Sequence, residues 1–247
     1  MSVTRAIILA AGSGSRLRPL TDDRPKCLLE VRGRTLIDHQ LSALSRCGVT
    51  DVVAVVGYRD DRIRRRLGSQ IRYLMNERYQ STNSLYSLWL ASPELDGGAL
   101  ILNSDVLAPA KMFENLITSR AADAILVELG ESFEAEDMKV TLNGSRVLDF
   151  GKDLPSERTH AHNVGIAKFS AAGAARLAGY LDELIAAGHE GDWAPRAFRE
   201  FAHHWPLTAV ATDGLPWIEI DYPEDLMRAR NDIEPAMLGL DSAVGVR

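Results

Sequence analysis

The chain has 247 residues, 46% hydrophobic and 25% charged, the profile of a globular protein long enough to bury a sizeable core. A formal net charge of −6 argues against nucleic acid as the main partner. Cys27 and Cys47, in no metal-ligand spacing, fit a reducing compartment better than a disulfide scaffold.

The apolar run over residues 6–11 is too short for a signal-peptide core or a membrane span. A cytoplasmic protein with no membrane partner is expected. From Arg5 to Ala10 that run reads as a strand buried on both faces. Leu36, Ile37, Gln40, Leu41 and Leu44 then follow helical spacing, with Gly48 placed to end the helix. DVVAVVG (51–57) predicts a second buried strand, and Ile63 and Leu67 a short helix stopped by Gly68. A third strand is expected near 71–75. Ser81, Thr82 or Asn83 can cap a helix over the following apolar positions, and GALILNSD (98–105) predicts a fourth strand.

Strands alternating with helices at this pace predict a doubly wound, Rossmann-like α/β fold. Its sheet should be mostly parallel, though mixed, with helices on both faces and ligand-binding loops at the carboxyl ends of the strands. Further on, MKVTLNGSRVLDF predicts a hairpin turning at Asn143-Gly144, and VGIAKFS a strand. Ala171 to Ala187 reads as a helix ended by Gly188, and PWIEIDYPEDLMRAR as a last strand feeding a last helix. With no linker or repeat, a single domain over 1–232 is expected, followed by a loosely ordered tail over 233–247.

The stretch LAAGSGSRLRPLTDDRPKCLL (9–29) poses the functional question. A P-loop ends in Gly-Lys-Ser/Thr, whereas here Gly14-Ser15-Arg16 stands. A dinucleotide fingerprint wants a third glycine where Leu17 is, which disfavours a nicotinamide-dependent oxidoreductase. The third functional reading is a loop that wraps a nucleoside triphosphate; the alternative is a solvated surface loop whose glycines serve only a tight turn. Gly12 and Gly14 let the backbone approach closely. Arg16, Arg18, Arg24 and Lys26 against Asp22 and Asp23 leave two excess positive charges for a polyanion.

The same stretch resembles the signature of the sugar-phosphate nucleotidyltransferases, L-A-A-G-x-G-x-R followed by P-K-x-L. NERYQSTNSLYSLWLA (76–91), DMKV (137–140) and WIEIDYPEDL (217–226) resemble the small-molecule cytidylyltransferase branch. That branch includes phosphocholine and 2-aminoethylphosphonate cytidylyltransferases. The resemblance covers most of residues 5–230 and is strongest in the first 105. It implies a fold of the nucleotide-diphospho-sugar transferase type, and transfer of CMP from CTP to a small phosphate or phosphonate with release of pyrophosphate. Leu9, Ala11, Gly12, Ser13 and Gly14 would hold the nucleotide, Arg16 would face the leaving phosphates, and Lys26 would be catalytic.

Asp105 ends the fourth strand, and Glu219 and Asp221, two apart, share one face of the last. The resemblance assigns these three to Mg²⁺, the expected cofactor, which takes carboxylate and phosphate oxygens. Asp221, ahead of Pro223 and Glu224, also suits a helix N-cap. Thr82, Asn83 and Ser84 can cap a helix and meet a pyrimidine edge, with Asn103 and Ser104 near the ribose or base. Lys139, Asp192 and Trp193 are the acceptor candidates: EGDWAPRAF resembles an acidic-aromatic stretch that lines the acceptor site in this branch, and an indole face with a carboxylate would suit an ammonium group. The histidines show no nucleophile or metal spacing, and RIRRR (62–66) reads as a solvated helix face. Alternatives are a sugar-1-phosphate nucleotidyltransferase using UTP or dTTP, and a non-catalytic nucleotide-binding regulator. The expected assembly is a monomer or homodimer.

Overall fold

The N-terminal run forms an inner strand of the sheet. The computed structural model describes residues 3–241. In β1 (Arg5–Ala10), Ile7 and Ile8 are shut off from solvent on opposite faces. A loop with 3₁₀ turns at Ser15–Leu17 and Lys26–Leu28 leads to a small hairpin, β2 (Glu30–Val31) and β3 (Arg34–Thr35). α1 (Leu36–Arg46) opens on a capping box, Thr35 Oγ1 accepting from the Asp38 amide and the Asp38 carboxylate from the Thr35 amide. β4 (Asp51–Val56), α2 (Asp60–Leu67), β5 (Arg72–Met75), α3 (Ser84–Leu90) and β6 (Gly98–Asn103) follow, all where spacing predicts them.

The second half begins with β7 (Val106–Leu107), α4 (Ala110–Thr118) and β8 (Ala124–Leu129). Next come the hairpin β9 (Lys139–Asn143) and β10 (Arg146–Gly151), then β11 (Ala161–Ser170) and α5 (Ala171–Ala186). α6 (Pro195–His204), β12 (Thr208–Ala211), β13 (Ile218–Glu219) and α7 (Pro223–Arg228) complete the scaffold. The sequence reading missed α4, β8, α6 and β12. Beyond Asp232, where no periodicity is legible, α8 (Glu234–Asp241) forms and buries Met237. The rest of the expected tail, 242–247, lies outside the described residues.

The nine-stranded sheet runs in the order β5-β4-β1-β6-β11-β8-β12-β10-β9. β5, β4, β1 and β6 are parallel; β11 runs against β6 and β8, so the sheet is mixed. β9 pairs with both β10 and β11, which closes the far half on itself. Alternate residues of β1 feed two cores. Ala6 and Ile8 pack with α1, α2 and α4, while Ile7 and Leu9 pack with α3, α5 and α6. Helices thus cover both faces, and the doubly wound α/β expectation holds. A third cluster joins Leu17 and Leu29 of the glycine loop to Leu107, Ile218, Ile220 and Leu226. It fastens the loop to β7, β13 and α7, which bear the site. Among the described residues no helix is long and apolar enough to cross a membrane.

Candidate active site

A cleft of about 810 Å³ opens at the carboxyl ends of β1 and β6, the edge where an α/β sheet collects ligands. Its floor is the glycine loop. A Cβ on Gly12 would meet nothing within 4 Å, so the main chain there is bare toward the cleft. Gly14 has φ 61°, and a side chain would press on Lys26 Cβ and Thr21 Cγ2 at 3.2 Å. The glycine keeps loop and lysine in contact.

Lys26 projects from the second 3₁₀ turn, its side chain only 13% exposed. Its Nζ lies 2.8 Å from Asp105 Oδ2 and also bonds Asp221 Oδ1. Arg16 Nη1 reaches Asp221 Oδ2 at 3.2 Å. Asp105 sits in the turn between β6 and β7. The register of β7 on β13 sets Val106 against Glu219, and the Ile220 amide donates to Asp105 O at 3.1 Å. Three carboxylates from two chain segments are thereby brought to one rim.

Their electrostatics are those of crowded charge. Burial pushes Glu219 up to about 8, with repulsion from Asp105 and then Asp221 adding to it. Asn103 Nδ2 donates to Glu219 Oε1 at 3.4 Å and acts the other way. Burial alone would raise Asp221 too, but the charge and hydrogen bond of Lys26 outweigh it and hold that carboxyl below its ordinary range. Burial would lower Lys26, and Asp105 and Asp221 overcome that and raise it. Asp105 Oδ1 is buried with no hydrogen-bond partner.

Asp221 does not cap α7. Tyr222 occupies the N-cap position, and the carboxylate accepting from the Asp221 and Tyr222 amides, at 3.0 and 2.8 Å, belongs to Asp225. Asp221 keeps both carboxylate oxygens for Lys26 and Arg16.

Thr82, Asn83 and Ser84 line one side of the cleft. Asn83 caps α3 with its Oδ1 on the Ser84 amide, Ser84 Oγ accepts from the Ala194 amide at 2.8 Å, and Thr82 Oγ1 donates to Arg78 O. Trp193, next to Ala194, and Trp217 also line the cleft. Lys152 Nζ lies 4.5 Å above the Trp193 ring and 3.0 Å from Glu136 Oε2. Trp217 Nε1 donates to Glu128 Oε2 at 2.8 Å, and its ring is 5.6 Å from that of His162.

Residues 6–135, more than half of the chain, match the MobA-like NTP transferase domain. The chain belongs to this family. It is 28% identical over 196 residues to the choline-phosphate cytidylyltransferase of Streptococcus pneumoniae, covering 74% of this chain and 78% of the relative. It is 32% identical over 200 residues to the 2-aminoethylphosphonate cytidylyltransferase of Lancefieldella rimae, covering 76% of each. The solved CTP:phosphocholine cytidylyltransferase of Streptococcus pneumoniae shares the fold, with TM-score 0.78 over 93% of this chain and 98% of that one, at 24% identity.

The cleft of this NTP transferase collects most of the residues singled out from sequence. Leu9, Ala11, Gly12, Ser13, Gly14, Arg16, Lys26, Asn103, Ser104, Asp105, Glu219, Asp221 and Trp193 all line it. Lys139 and Asp192 do not. Lys139 is buried at the start of β9, donating to Lys152 O at 3.1 Å, and it is Lys152 that lines the cleft in its place. Asp192 turns toward α6, pairing with Arg196 at 3.4 Å and His189 at 3.1 Å. The sequence reading missed Lys152, Glu128, His162 and Trp217 as a group. They come from four separate strands and loops, and no local spacing links them.

Among the described residues, no three His, Cys, Asp or Glu side chains form a group able to hold a metal unaided. Mg²⁺ usually takes only one or two carboxylates and completes its shell with water and substrate phosphates. The unpartnered Asp105 oxygen and the crowded Glu219 beside it fit an ion of that kind.

Proposed function

We propose that this NTP transferase moves CMP from CTP to a small phosphate or phosphonate, releasing pyrophosphate. The observation that carries the reading is the lysine of P-K-x-L set against Asp105 and Asp221 at the foot of a bare glycine loop. An acceptor oxygen attacks the α-phosphorus, the bond to the β-phosphate oxygen breaks, and pyrophosphate leaves with the electron pair. Two anions must meet, so positioned charge and orientation supply most of the acceleration.

Each group has a distinct task. Gly12 and Ser13 amides receive the triphosphate. Lys26 exchanges a carboxylate for the α-phosphate oxygen, and Arg16 draws the leaving phosphates. Asp105, Glu219 and Asp221, completed by water and triphosphate oxygens, would hold Mg²⁺, which neutralises phosphate charge when bound. With its Oδ1 committed to the α3 cap, Asn83 retains an amide N–H for the base. Cytosine offers O2 and N3 as acceptors, whereas N3 of uracil is a donor; that favours CTP. Trp193, Lys152 and the acidic side chains of Glu128 and Glu136 suit an acceptor with an anionic head and a cationic amine.

Pyrophosphate release measured for four nucleoside triphosphates against phosphocholine, phosphoethanolamine, 2-aminoethylphosphonate and glucose-1-phosphate tests this. CTP with one of the amine-bearing acceptors should give the highest kcat/KM. Equal or better kcat/KM for UTP or dTTP with glucose-1-phosphate overturns it. Tight nucleotide binding without turnover would make the protein a regulator.

A further inference from the structure

Gln40 lies on the inward face of α1, 2% exposed. Its Nε2 donates to two main-chain carbonyls, Asn103 O at 2.8 Å and Val106 O at 3.0 Å. These carbonyls flank the turn that holds Ser104 and Asp105. Both are acceptors, so only the amide nitrogen can serve them and the orientation of the carboxamide is fixed by chemistry. Its other atom, Oε1, is buried with no hydrogen-bond partner. Leaving an acceptor unpaired costs stability. Packing alone would be met by a leucine or methionine beside Ile37 and Leu44.

What the double bond secures is more than one turn. Val106 pairs with Glu219 across the β7–β13 ladder, and Asp105 O receives the Ile220 amide. One buried side chain therefore pins to α1 both segments that carry the carboxylates. We propose that Gln40 is a positioning residue, holding the Asn103–Val106 turn, and with it Asp105 and Glu219, at the spacing nucleotidyl transfer requires. This rests on the transferase reading above.

Gln40→Met keeps the length and removes both the donor and the orphaned acceptor, but it leaves the Asn103 and Val106 carbonyls without that donor, so the fold should survive with a lowered melting temperature. Hydrogen exchange in residues 103–107 and 218–220 of the free protein should then run about tenfold faster as the turn opens locally. With CTP and the acceptor found above, kcat should fall about 10–100-fold while KM for CTP stays within about twofold, as expected of misplaced rather than lost groups. Gln40→Asn, a methylene short of spanning both carbonyls, should fall between. Wild-type exchange in both segments, or unchanged kcat per folded molecule, overturns the proposal. So does a failure of both variants to fold, which would assign Gln40 to global stability. If wild-type protein releases no pyrophosphate with any pair, the transferase reading fails while the exchange comparison still decides the clamp.

Discussion

Two carboxylates reach Lys26 Nζ from different segments of the chain, and without it Asp105 would lose its cation and Asp221 would keep only Arg16. Lys26→Met should cut kcat for pyrophosphate release by about 10²–10³-fold, the typical loss of one group that stabilises transition-state charge. The melting temperature should fall as well. A broken, fully buried ion pair costs about 3–5 kcal/mol, and the expected loss is smaller because the Asp221 side chain is 36% exposed. A folded variant with turnover within a few-fold of wild type would remove Lys26 from the chemistry. Asp221→Asn separates charge from capping. The cap belongs to Asp225, so Asp221→Asn should lose activity and require more Mg²⁺, with α7 undisturbed. Asp225→Ala should lower stability by about 1 kcal/mol, the usual value of a lost cap. Normal Mg²⁺-dependent turnover in Asp221→Asn would take that residue out of the metal site.

At the scale of elements, α5 depends on a glycine inside its first turn. Ser170 caps the helix with Oγ on the Gly173 amide at 3.1 Å. Asp123 Oδ1, ahead of β8, accepts from the Ser170 amide at 2.8 Å and its hydroxyl at 2.9 Å. A Cβ on Gly173 would fall inside the Asp123 carboxylate. In an open helix, Gly→Ala gains about 1 kcal/mol. Here the displaced carboxylate and its charged hydrogen bonds, worth about 1.5–3 kcal/mol each, should win. Gly173→Ala is therefore expected to be less stable to urea than wild type. A variant equally or more stable would mean that Asp123 moves aside at no cost.

The molecule as a whole joins a parallel half that bears the glycine loop to a far half that closes on itself through β9 and β11. Arg199 of α6 braces that closure, its Nε 2.7 Å from Asp149 Oδ1 on β10. Burial would raise the Asp149 carboxyl, but the hydrogen bond and charge of Arg199, with the Phe150 amide and His203, together outweigh it and hold the group below its ordinary range. A depressed carboxylate contributes stability that is present above its unfolded value, about 3.9, and lost as pH falls through the folded one. Asp149→Asn should thus be less stable than wild type at pH 7, with the difference shrinking below about pH 4 as the native carboxylate protonates. A difference independent of pH between 7 and 3 would contradict the assignment.

By itself the sequence determined the first half of this protein and the identity of its charged groups. RAIILA and DVVAVV are apolar enough to be buried on both faces, the loop from Gly12 to Lys26 carries the family signature, and Glu219 and Asp221 are close in sequence. Those signals are local, so no packing is needed to read them. The tertiary structure decided everything that depended on distant segments meeting. It buried Lys139, because a strand residue faces a cleft or a core according to register and not according to its charge, paired Asp192 with Arg196, and presented Lys152 from the turn after β10. It gave the α7 cap to Asp225 where Asp221 had an equal local claim. It made Gln40, legible in sequence only as a helix-spaced position, the buried link between α1 and the acidic rim. Hydrogen bonds over 63 and 66 residues leave no periodic trace along a chain; they exist only once the sheet and helices have brought their ends together.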